Sequence, residues 1–260
     1  MKKHLKQFLS VFLFAAMLFA ATTITKASAL FTMQASPDYA EKIGNYYYWA
    51  QSTGDVYRSA TKPSESWSEA KKNSCKIYKL QGSDTDSAGT PTTDGSNIYY
   101  MYHPQNSSKV QIKKYSIATR KTTTVGKIKA KYFGTLVGEY NGKLLFENYT
   151  GTFLFKSSGI KKLTKQSVVA SYGNYYLFVD SKLLYGYTEP LEFSSMTIYN
   201  LKSGKSKTFD KKFTGQPYTQ GRYFYYAKVL SGDSKLAKVR VYKLDITTGK
   251  EKALTKAFKT

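Results

Sequence analysis

The side chains that most often carry acid–base and metal chemistry are sparse in this sequence. It holds two histidines, and only His103 lies beyond the first few residues, so a Ser/His/Asp triad would have to use it. His103 stands beside Pro104 at the end of an aromatic run, which is typical of a surface loop. No phosphate-binding loop, zinc-ligand spacing or dinucleotide fingerprint occurs. We therefore expect no catalytic residue, no metal site and no cofactor.

Paired carboxylates are the remaining route to catalysis. Asp94, Glu139 and Asp180 lie near the expected ends of strands. Glycosidases place two carboxylates roughly 5 to 9.5 Å apart, and a glycoside hydrolase or lyase is the enzymatic alternative for this chain. The three acids do not occupy equivalent positions in a recognisable motif, so the sequence favours a non-enzymatic protein.

Two long connections rich in aromatic and charged residues are better candidates for binding. They run from 52 to 74 and from 181 to 195, and we expect them to emerge on one face of the fold. Long loops on a rigid scaffold often carry function. The alternative is that Trp67 and Tyr185 only pack over strand edges. The candidate ligand-binding residues are Tyr57, Arg58, Trp67, Lys71, Tyr185, Tyr187, Glu189 and Glu192.

A repeated strand pattern must position these loops. An aromatic strand led by glycine occurs five times, and each copy is followed by a second strand and a basic turn. Tyr, Ile, Val, Phe and Thr dominate the runs, as in short antiparallel strands. Asp94-Gly95 and Asn141-Gly142 favour tight hairpins, because both central residues need positive φ. The five glycines are Gly44, Gly95, Gly142, Gly173 and Gly221.

The spacing of the second strands predicts the fold class. Their central apolar residues recur at steps of 35, 42, 44 and 43 residues, close to the length of a propeller blade. A unit of this size suits four antiparallel strands, and five units fill residues 30–260 as a single domain. We therefore predict an all-β β-propeller with five four-stranded blades, and the alternatives are six blades or an open ring. The residues taken as equivalent are Ile77, Ile112, Leu154, Ile198 and Val241.

The first unit is the weakest copy of the pattern. Residues 30–36 form a poor first strand, and no fourth strand is evident. The one stretch with helical spacing in these units is 64–72. Cys75 is the single cysteine, so no internal disulfide can form. It precedes an apolar alternation, and we expect its side chain to be buried.

The pattern of an aromatic strand, then Ile-Tyr-Lys-Leu, then Thr-Thr-Gly-Lys and a later Leu-Thr resembles two families. These are the YWTD-type propellers of the low-density lipoprotein receptor and the Tol-B-like propellers, as found in secreted bacterial proteins. The best copy lies between Tyr223 and Thr255. The resemblance implies a propeller that binds a protein, glycan or peptide through individual loops. The full Tyr-Trp-Thr-Asp tetrad is absent, because Ala50 follows Trp49.

Residues 1–29 have the composition of a secretory signal. Lys2, Lys3 and Lys6 precede an apolar run over residues 8–21, and Ala27-Ser28-Ala29 fits a cleavage site. No cysteine lies near that site, so a lipid anchor is not expected. We predict cleavage after Ala29 and a secreted or wall-associated protein, with no transmembrane segment once the signal is removed.

The chain is strongly basic, with a formal net charge of +23. Such a charge attracts polyanions, and the attraction weakens with salt. We therefore expect a protein or polysaccharide partner at the bacterial cell surface, with an anionic cell-wall polymer as a candidate and no specific nucleic acid. A generally solvated basic surface is the alternative, since the lysines are spread along the chain. The sequence thus predicts a secreted, non-enzymatic binding protein.

Overall fold

The protein is built almost entirely of short antiparallel strands. We derive the fold from a computed structural model, which describes residues 28–82, 87–181, 193–231 and 238–259. Within these ranges, no helix is both long enough and apolar enough to cross a membrane. The elements are, in chain order, β1 (Ser28–Ala29), β2 (Phe31–Thr32), a 3₁₀ turn (Pro37–Tyr39), β3 (Glu41–Ile43), β4 (Tyr46–Ala50), β5 (Asp55–Ser59), α1 (Trp67–Lys72), β6 (Cys75–Lys79), β7 (Ser87–Ala88), β8 (Thr92–Thr93), β9 (Asn97–His103), β10 (Lys109–Ser116), β11 (Lys121–Lys129), a second 3₁₀ turn (Ala130–Tyr132), β12 (Thr135–Tyr140), β13 (Lys143–Asn148), β14 (Gly151–Lys156), β15 (Gly159–Thr164), β16 (Ser167–Tyr172), β17 (Tyr175–Ser181), β18 (Phe193–Asn200), β19 (Ser206–Gln220), β20 (Tyr223–Ser231), β21 (Lys238–Asp245), β22 (Lys250–Ala253) and β23 (Phe258–Lys259).

Most strands belong to antiparallel meanders of four. The first unit is β3–β4–β5–β6, the second is β8–β9–β10–β11 with β7 also paired to β9, and the third is β12–β13–β14–β15. Strands β16 to β22 form one larger sheet, in which β19 is 15 residues long. The first part of β19 pairs with β18 and ends the fourth unit, and its second part pairs with β20 and begins the fifth. The predicted propeller architecture of four-stranded antiparallel blades is thus confirmed, and a ring closed by five blades stays a prediction.

Hairpins between the first and second strands fall where the sequence predicts them. Asn141 and Gly142 have φ of 49° and 75°, the two positive values that this hairpin requires. The aromatic strand that follows each hairpin contributes heavily to the core. In β9, for example, Ile98, Tyr100 and Met101 are all completely buried.

Hydrophobic side chains pack between successive units. Tyr100 packs in a cluster with Tyr48 of the first unit, whereas its neighbour Met101 packs with Phe146 of the third. Adjacent residues of a strand point to opposite faces, so one strand serves two interfaces. Two further clusters join the third unit to the fourth and the fourth to the fifth. In the described part of the chain, no core cluster joins the first unit to the fifth.

The first unit departs from its predicted strand assignment. Its first strand is Glu41–Ile43, and Cys75–Lys79 is the fourth strand rather than the third. Asp55–Ser59 forms the third strand, so the equivalence of Ile77 with third-strand residues of later units is wrong. The cause is the insertion of α1 between the third and fourth strands, which shifts the apolar pattern along the chain. Cys75 is exposed rather than buried, because it lies on the edge strand of its sheet.

The segment before the first unit pairs with the first strands of the next two. In the pairing of β1 with β12, Ala29 lies opposite Gly138, and β2 pairs with β8. Leu30 and Met33 are only 6% and 1% exposed. We call residues 28–33 the inner segment. The bond after Ala29, at which the sequence predicts cleavage, lies within it.

Candidate functional site

The predicted binding residues of the first connection contribute to an aromatic cluster. Tyr57 and Arg58 belong to β5, so their predicted position in a loop is wrong. Tyr57 stacks on Trp49 with the ring centroids 4.3 Å apart, and the edge of Trp67 meets Trp49 at 5.6 Å. The Arg58 guanidinium lies over the ring of Tyr46 at 4.3 Å. The structure therefore brings Tyr57 and Trp67 together around a buried indole, which holds α1 against the sheet.

Of the other six candidate binding residues, two are described and exposed, and four lie outside the described residues. Trp67 is 41% exposed, and Lys71 lies exposed in the last turn of α1. Both can therefore be reached by a partner. Four candidates fall outside the described residues, namely Tyr185, Tyr187, Glu189 and Glu192.

The two carboxylates that the structure describes from the predicted trio serve turns. Asp94 Oδ1 accepts hydrogen bonds from two backbone N–H groups of its own turn, at 2.8 and 2.6 Å. Glu139 Oε1 accepts one from the N–H of Gly142 at 3.0 Å. Such bonds stabilise the turn backbone. Asp180 lies on β17, and its side chain is outside the described residues.

Tyr99 is a common neighbour of these two carboxylates. Burial, and then the negative charges of Asp94 and Glu139, raise the pKa of Tyr99 far above its ordinary value. The side chain is 1% exposed, and a phenol that stays protonated is a poor base or nucleophile at neutral pH. Among the residues with described side chains, no three His, Cys, Asp or Glu are grouped so that they could hold a metal ion. The arrangement around Tyr99 thus has a structural character.

A cleft of about 620 Å³ lies between the first two units, at the opposite end of the strands from the Asp94 turn. Its lining contains backbone groups and neutral side chains, among them Gln51, Thr90 and Phe133. The hydroxyl of Tyr57 donates to Gln51 Oε1 at 3.4 Å, so the cleft borders the aromatic cluster. The described residues of its lining are all uncharged.

Exposed lysines are more frequent on the fourth strands than on the other strands of the described units. In the first three sheets this strand lies at the edge, and its lysines are exposed. The first strands, by contrast, carry Lys42 together with the acids Glu41 and Glu139. Positive charge therefore accumulates at one edge of each unit. We call the following residues the fourth-strand lysines: Lys76, Lys79, Lys121, Lys127, Lys129, Lys161, Lys162, Lys207, Lys250 and Lys252.

A recurring turn places a lysine at, or directly before, the first residue of three fourth strands. In the fourth unit, Asn200 Oδ1 accepts the N–H of Ser203 at 2.9 Å, and Gly204 follows with φ of 73°. A Ser or Asp side chain takes the role of Asn200 in the second and fifth units. Sequence reasoning noted the basic turns but missed that their lysines align. The three turns are Ser116–Lys121, Asn200–Lys205 and Asp245–Lys250.

Few carboxylates neutralise these charges. Lys76 forms an ion pair with Asp55 at 2.7 Å, and it is the one fourth-strand lysine for which the described residues provide such a partner. Two others lie over aromatic rings, Lys162 over Phe153 at 5.5 Å and Lys207 over Phe209 at 5.0 Å. The positive charge of this edge is therefore available to an external anion.

The strand order defines the protein as a β-propeller of four-stranded antiparallel blades. No protein-family model matches the sequence, and no curated protein sequence is significantly similar to it. Several solved propellers are similar in structure. One is an oligogalacturonate lyase from Vibrio parahaemolyticus, with 10% identity over 82% of this chain and 63% of the lyase and a TM-score of 0.47.

Two further solved structures belong to the same comparison. TolB from Acinetobacter baumannii is 17% identical over 88% of this chain and 53% of its own, with a TM-score of 0.39. The β-propeller domain of the trilobed protease from Pyrococcus furiosus is 12% identical over 89% and 72% of the two chains, with a TM-score of 0.42. The chain thus spans 63% of the lyase and 53% of TolB. A Tol-B propeller is among the similar structures, as the repeat pattern predicts, and the likeness concerns the fold alone.

Proposed function

We propose that this protein is a secreted, non-enzymatic propeller that binds a partner at the bacterial cell surface, and that its fourth-strand lysines attach it to an anionic polymer. One observation carries the proposal. Exposed lysines recur on the fourth strands of successive units, whereas Asp94 and Glu139 are occupied in turns near the first strands. Fixed charges arranged along several edges attract a polyanion over a distance set by the salt concentration.

Protection of sheet edges is a competing explanation for these lysines. Charged residues on edge strands prevent pairing with other chains. That explanation covers β6, β11 and β15, which end their sheets. It also applies to Lys207, because the first part of β19 pairs with β18 alone. It does not, however, require the net charge of +23.

A glycan-cleaving activity has less support. The carboxylates of Asp94 and Glu139 accept backbone hydrogen bonds, and their common neighbour Tyr99 is held protonated. An acid and base pair needs carboxylates free to exchange protons with a substrate. The binding function therefore accounts for more of the described side chains.

Retention on isolated bacterial cell walls tests the proposal. The Debye length falls from about 10 Å at 0.1 M salt to about 3 Å at 1 M, so retention is expected to decrease steeply over that range. Walls stripped of their anionic polymer should retain little protein at any salt concentration. Retention that does not depend on salt, or that is equal on stripped walls, would contradict the proposal.

Two variants that lose the same charge at different positions test whether wall binding depends on the fourth-strand lysines. Replacing Lys121, Lys127 and Lys129 of β11 with glutamine removes three fourth-strand charges. The control removes the same charge from exposed lysines elsewhere, namely Lys62, Lys72 and Lys156. We expect the β11 variant to elute from walls at lower salt than the control. Equal elution would show that net charge, rather than its position on the fourth strands, controls binding.

A further inference from the structure

Two clefts flank the beginning of β19. The first, of about 420 Å³, lies between β15 of the third unit and strands β18 and β19 of the fourth. The second, of about 250 Å³, lies between β18–β19 and the turn that precedes β22 in the fifth unit. Ser206 lines both clefts. The clefts lie on opposite faces of β18, because Tyr199 lines the first and its neighbour Ile198 lines the second. The edge of β19 at Ser206 separates them, and we call the two clefts together the β19 track.

The β19 track is basic on both sides of Ser206. Lys161 and Lys165 line the first cleft, and Lys205 and Lys207 line the second. All four are exposed. Neither lining includes a carboxylate from the described residues. An anionic chain that crosses the edge of β19 from one cleft to the other would thus meet lysines before and after Ser206.

Threonine hydroxyl groups line both clefts together with these lysines. Thr164, Thr197 and Thr208 line the first cleft, and Thr247 and Thr248 line the second. Thr247 donates its hydroxyl hydrogen to Asp245, and Thr197 and Thr208 are bonded to each other, but a hydroxyl oxygen can accept further bonds. The clefts can therefore hold the hydroxyl groups of a ligand beside its anionic oxygens. A ligand that alternates charge with hydroxyl groups matches this lining.

Two observations narrow the chemical class of the ligand further. The cationic side chains of the track are lysines, and the aromatic rings of the first cleft are buried. Lysine presents a compact ammonium that suits single phosphate oxygens, whereas planar carboxylates are most often recognised by the fork of arginine. Nucleic-acid strands without sequence preference are usually held by exposed aromatic faces. In the first cleft, Phe178 and Tyr199 are only 2% and 5% exposed, so their faces are covered, and the one ring among the described lining of the second cleft, that of Tyr175, is half-buried. The lining favours a flexible phosphate polymer over a nucleic acid.

The walls of the track are held in place by bonds within the protein. Gln166 is 8% exposed, and its Nε2 donates to Ser195 Oγ at 2.6 Å. On the opposite wall, the N–H of Gly204 donates to the carbonyl of Asn200 at 2.7 Å. Groups fixed before binding lose less conformational entropy when the ligand arrives. The track is therefore a built feature of the fourth unit.

We propose that the β19 track binds a polymer of polyol units joined by phosphodiesters, with successive phosphates at the two lysine pairs and Ser206 between them. This inference rests on the proposed function and assigns its main contact to one blade. The fourth-strand lysines of the other units then contribute a weaker, general attraction. We therefore expect binding to depend mainly on the fourth unit, although positive charge is distributed over all the units.

A pair of quadruple variants tests the inference. The track variant carries Lys→Gln at 161, 165, 205 and 207, and the control carries Lys→Gln at 121, 127, 129 and 252, so both lose the same charge. Binding of poly(glycerol phosphate) of defined length is measured by calorimetry at about 0.1 M salt, where charges are screened beyond roughly 10 Å. We expect the affinity of the track variant to fall about tenfold further than that of the control, which corresponds to about 1.4 kcal/mol. Circular dichroism and thermal unfolding of both variants establish that they are folded.

The possible outcomes separate the inference from the proposed function. Equal losses in the two variants would overturn the track while leaving a binding function for the fourth-strand lysines. Unchanged affinity in both would overturn both proposals. A third variant, Ser206→Val, keeps every charge and removes the hydroxyl at the edge between the two clefts, and we expect it to bind more weakly than the unmodified protein. Single-stranded DNA and polygalacturonate of equal charge serve as competitors, and displacement by either at the concentration effective for poly(glycerol phosphate) would overturn the assignment of the ligand.

Discussion

At the scale of single residues, the most unusual contact is between Tyr176 and Gly138. Tyr176 is completely buried, and its hydroxyl has no hydrogen-bond partner among the described residues. A Cβ at position 138 would lie 2.1 Å from that hydroxyl oxygen, so only glycine leaves room for the tyrosine. The pair allows the third and fourth units to approach closely, at the cost of one unsatisfied polar group.

Removing the Tyr176 hydroxyl should not weaken the fold. For Tyr176→Phe, we expect the free energy of unfolding to stay the same or to rise by about 1 kcal/mol, because a buried group without a partner is lost. The control is Tyr48→Phe, since the Tyr48 hydroxyl donates to the carbonyl of Gly95 at 3.0 Å. That variant should lose about 1 kcal/mol. Urea denaturation measures both, and equal losses would mean that Tyr176 has a partner in solution.

At the scale of elements, the inner segment is the part of the fold that strand patterns alone do not reveal. Residues 28–33 contain only two-residue strands, yet they pair with both β12 and β8. Met33 belongs to the core cluster between the first and second units. Its backbone N–H also donates to the carbonyl of Pro91 at 2.9 Å. The segment therefore ties the first strands of neighbouring units together.

Substitutions in the inner segment should show this role. Met33→Ala is expected to lower the free energy of unfolding by about 2 to 5 kcal/mol, because it removes a buried side chain and leaves a cavity. Phe31→Ala is the matched control, since Phe31 lies two residues away and is 39% exposed. Urea denaturation of both variants measures the difference. Equal effects would show that the segment is not packed in solution.

The same scale shows what the sequence could and could not predict. Gly142 and the aromatic strand after it identify a blade, because the hairpin and the core signal come from adjacent residues. In the first unit the pattern gave a wrong strand assignment. Because α1 is inserted before Cys75–Lys79, this fourth strand has the sequence position expected of a third strand. The β19 track was beyond sequence reasoning for a different reason. Lys161 and Lys207 line neighbouring clefts only because β15 and β19 end successive units, and that proximity depends on the strand order.

At the scale of the whole molecule, buried tyrosines make stability depend on alkaline pH. Burial raises the pKa of each of these phenols in the folded protein, whereas an unfolded tyrosine ionises near pH 10. Above that pH the folded state therefore binds more protons than the unfolded state, and stability falls as the pH rises. The tyrosines concerned are Tyr48, Tyr99, Tyr100, Tyr176, Tyr199 and Tyr226.

Urea denaturation between pH 8 and pH 11 tests this expectation. The free energy of unfolding should be independent of these groups up to about pH 9 and then decrease by up to about 1.4 kcal/mol per pH unit for each tyrosine that stays protonated. The Tyr176→Phe variant should show a slope smaller by one proton. A free energy of unfolding that stays constant up to pH 11 would contradict the raised pKa values of these tyrosines.

The long strand β19 has a consequence for how the molecule comes apart. In repeat architectures each unit contacts only its neighbours and gains stability from those interfaces. Here one uninterrupted backbone from Ser206 to Gln220 carries ladder hydrogen bonds of both the fourth and the fifth unit. Because the two units share this strand, unfolding one unit disrupts backbone hydrogen bonds of the other. We therefore expect the two blades to unfold as a single cooperative unit. Amide hydrogen exchange should show their protons becoming accessible together, while the first unit, which is joined to the rest by side chains and loops, opens on its own.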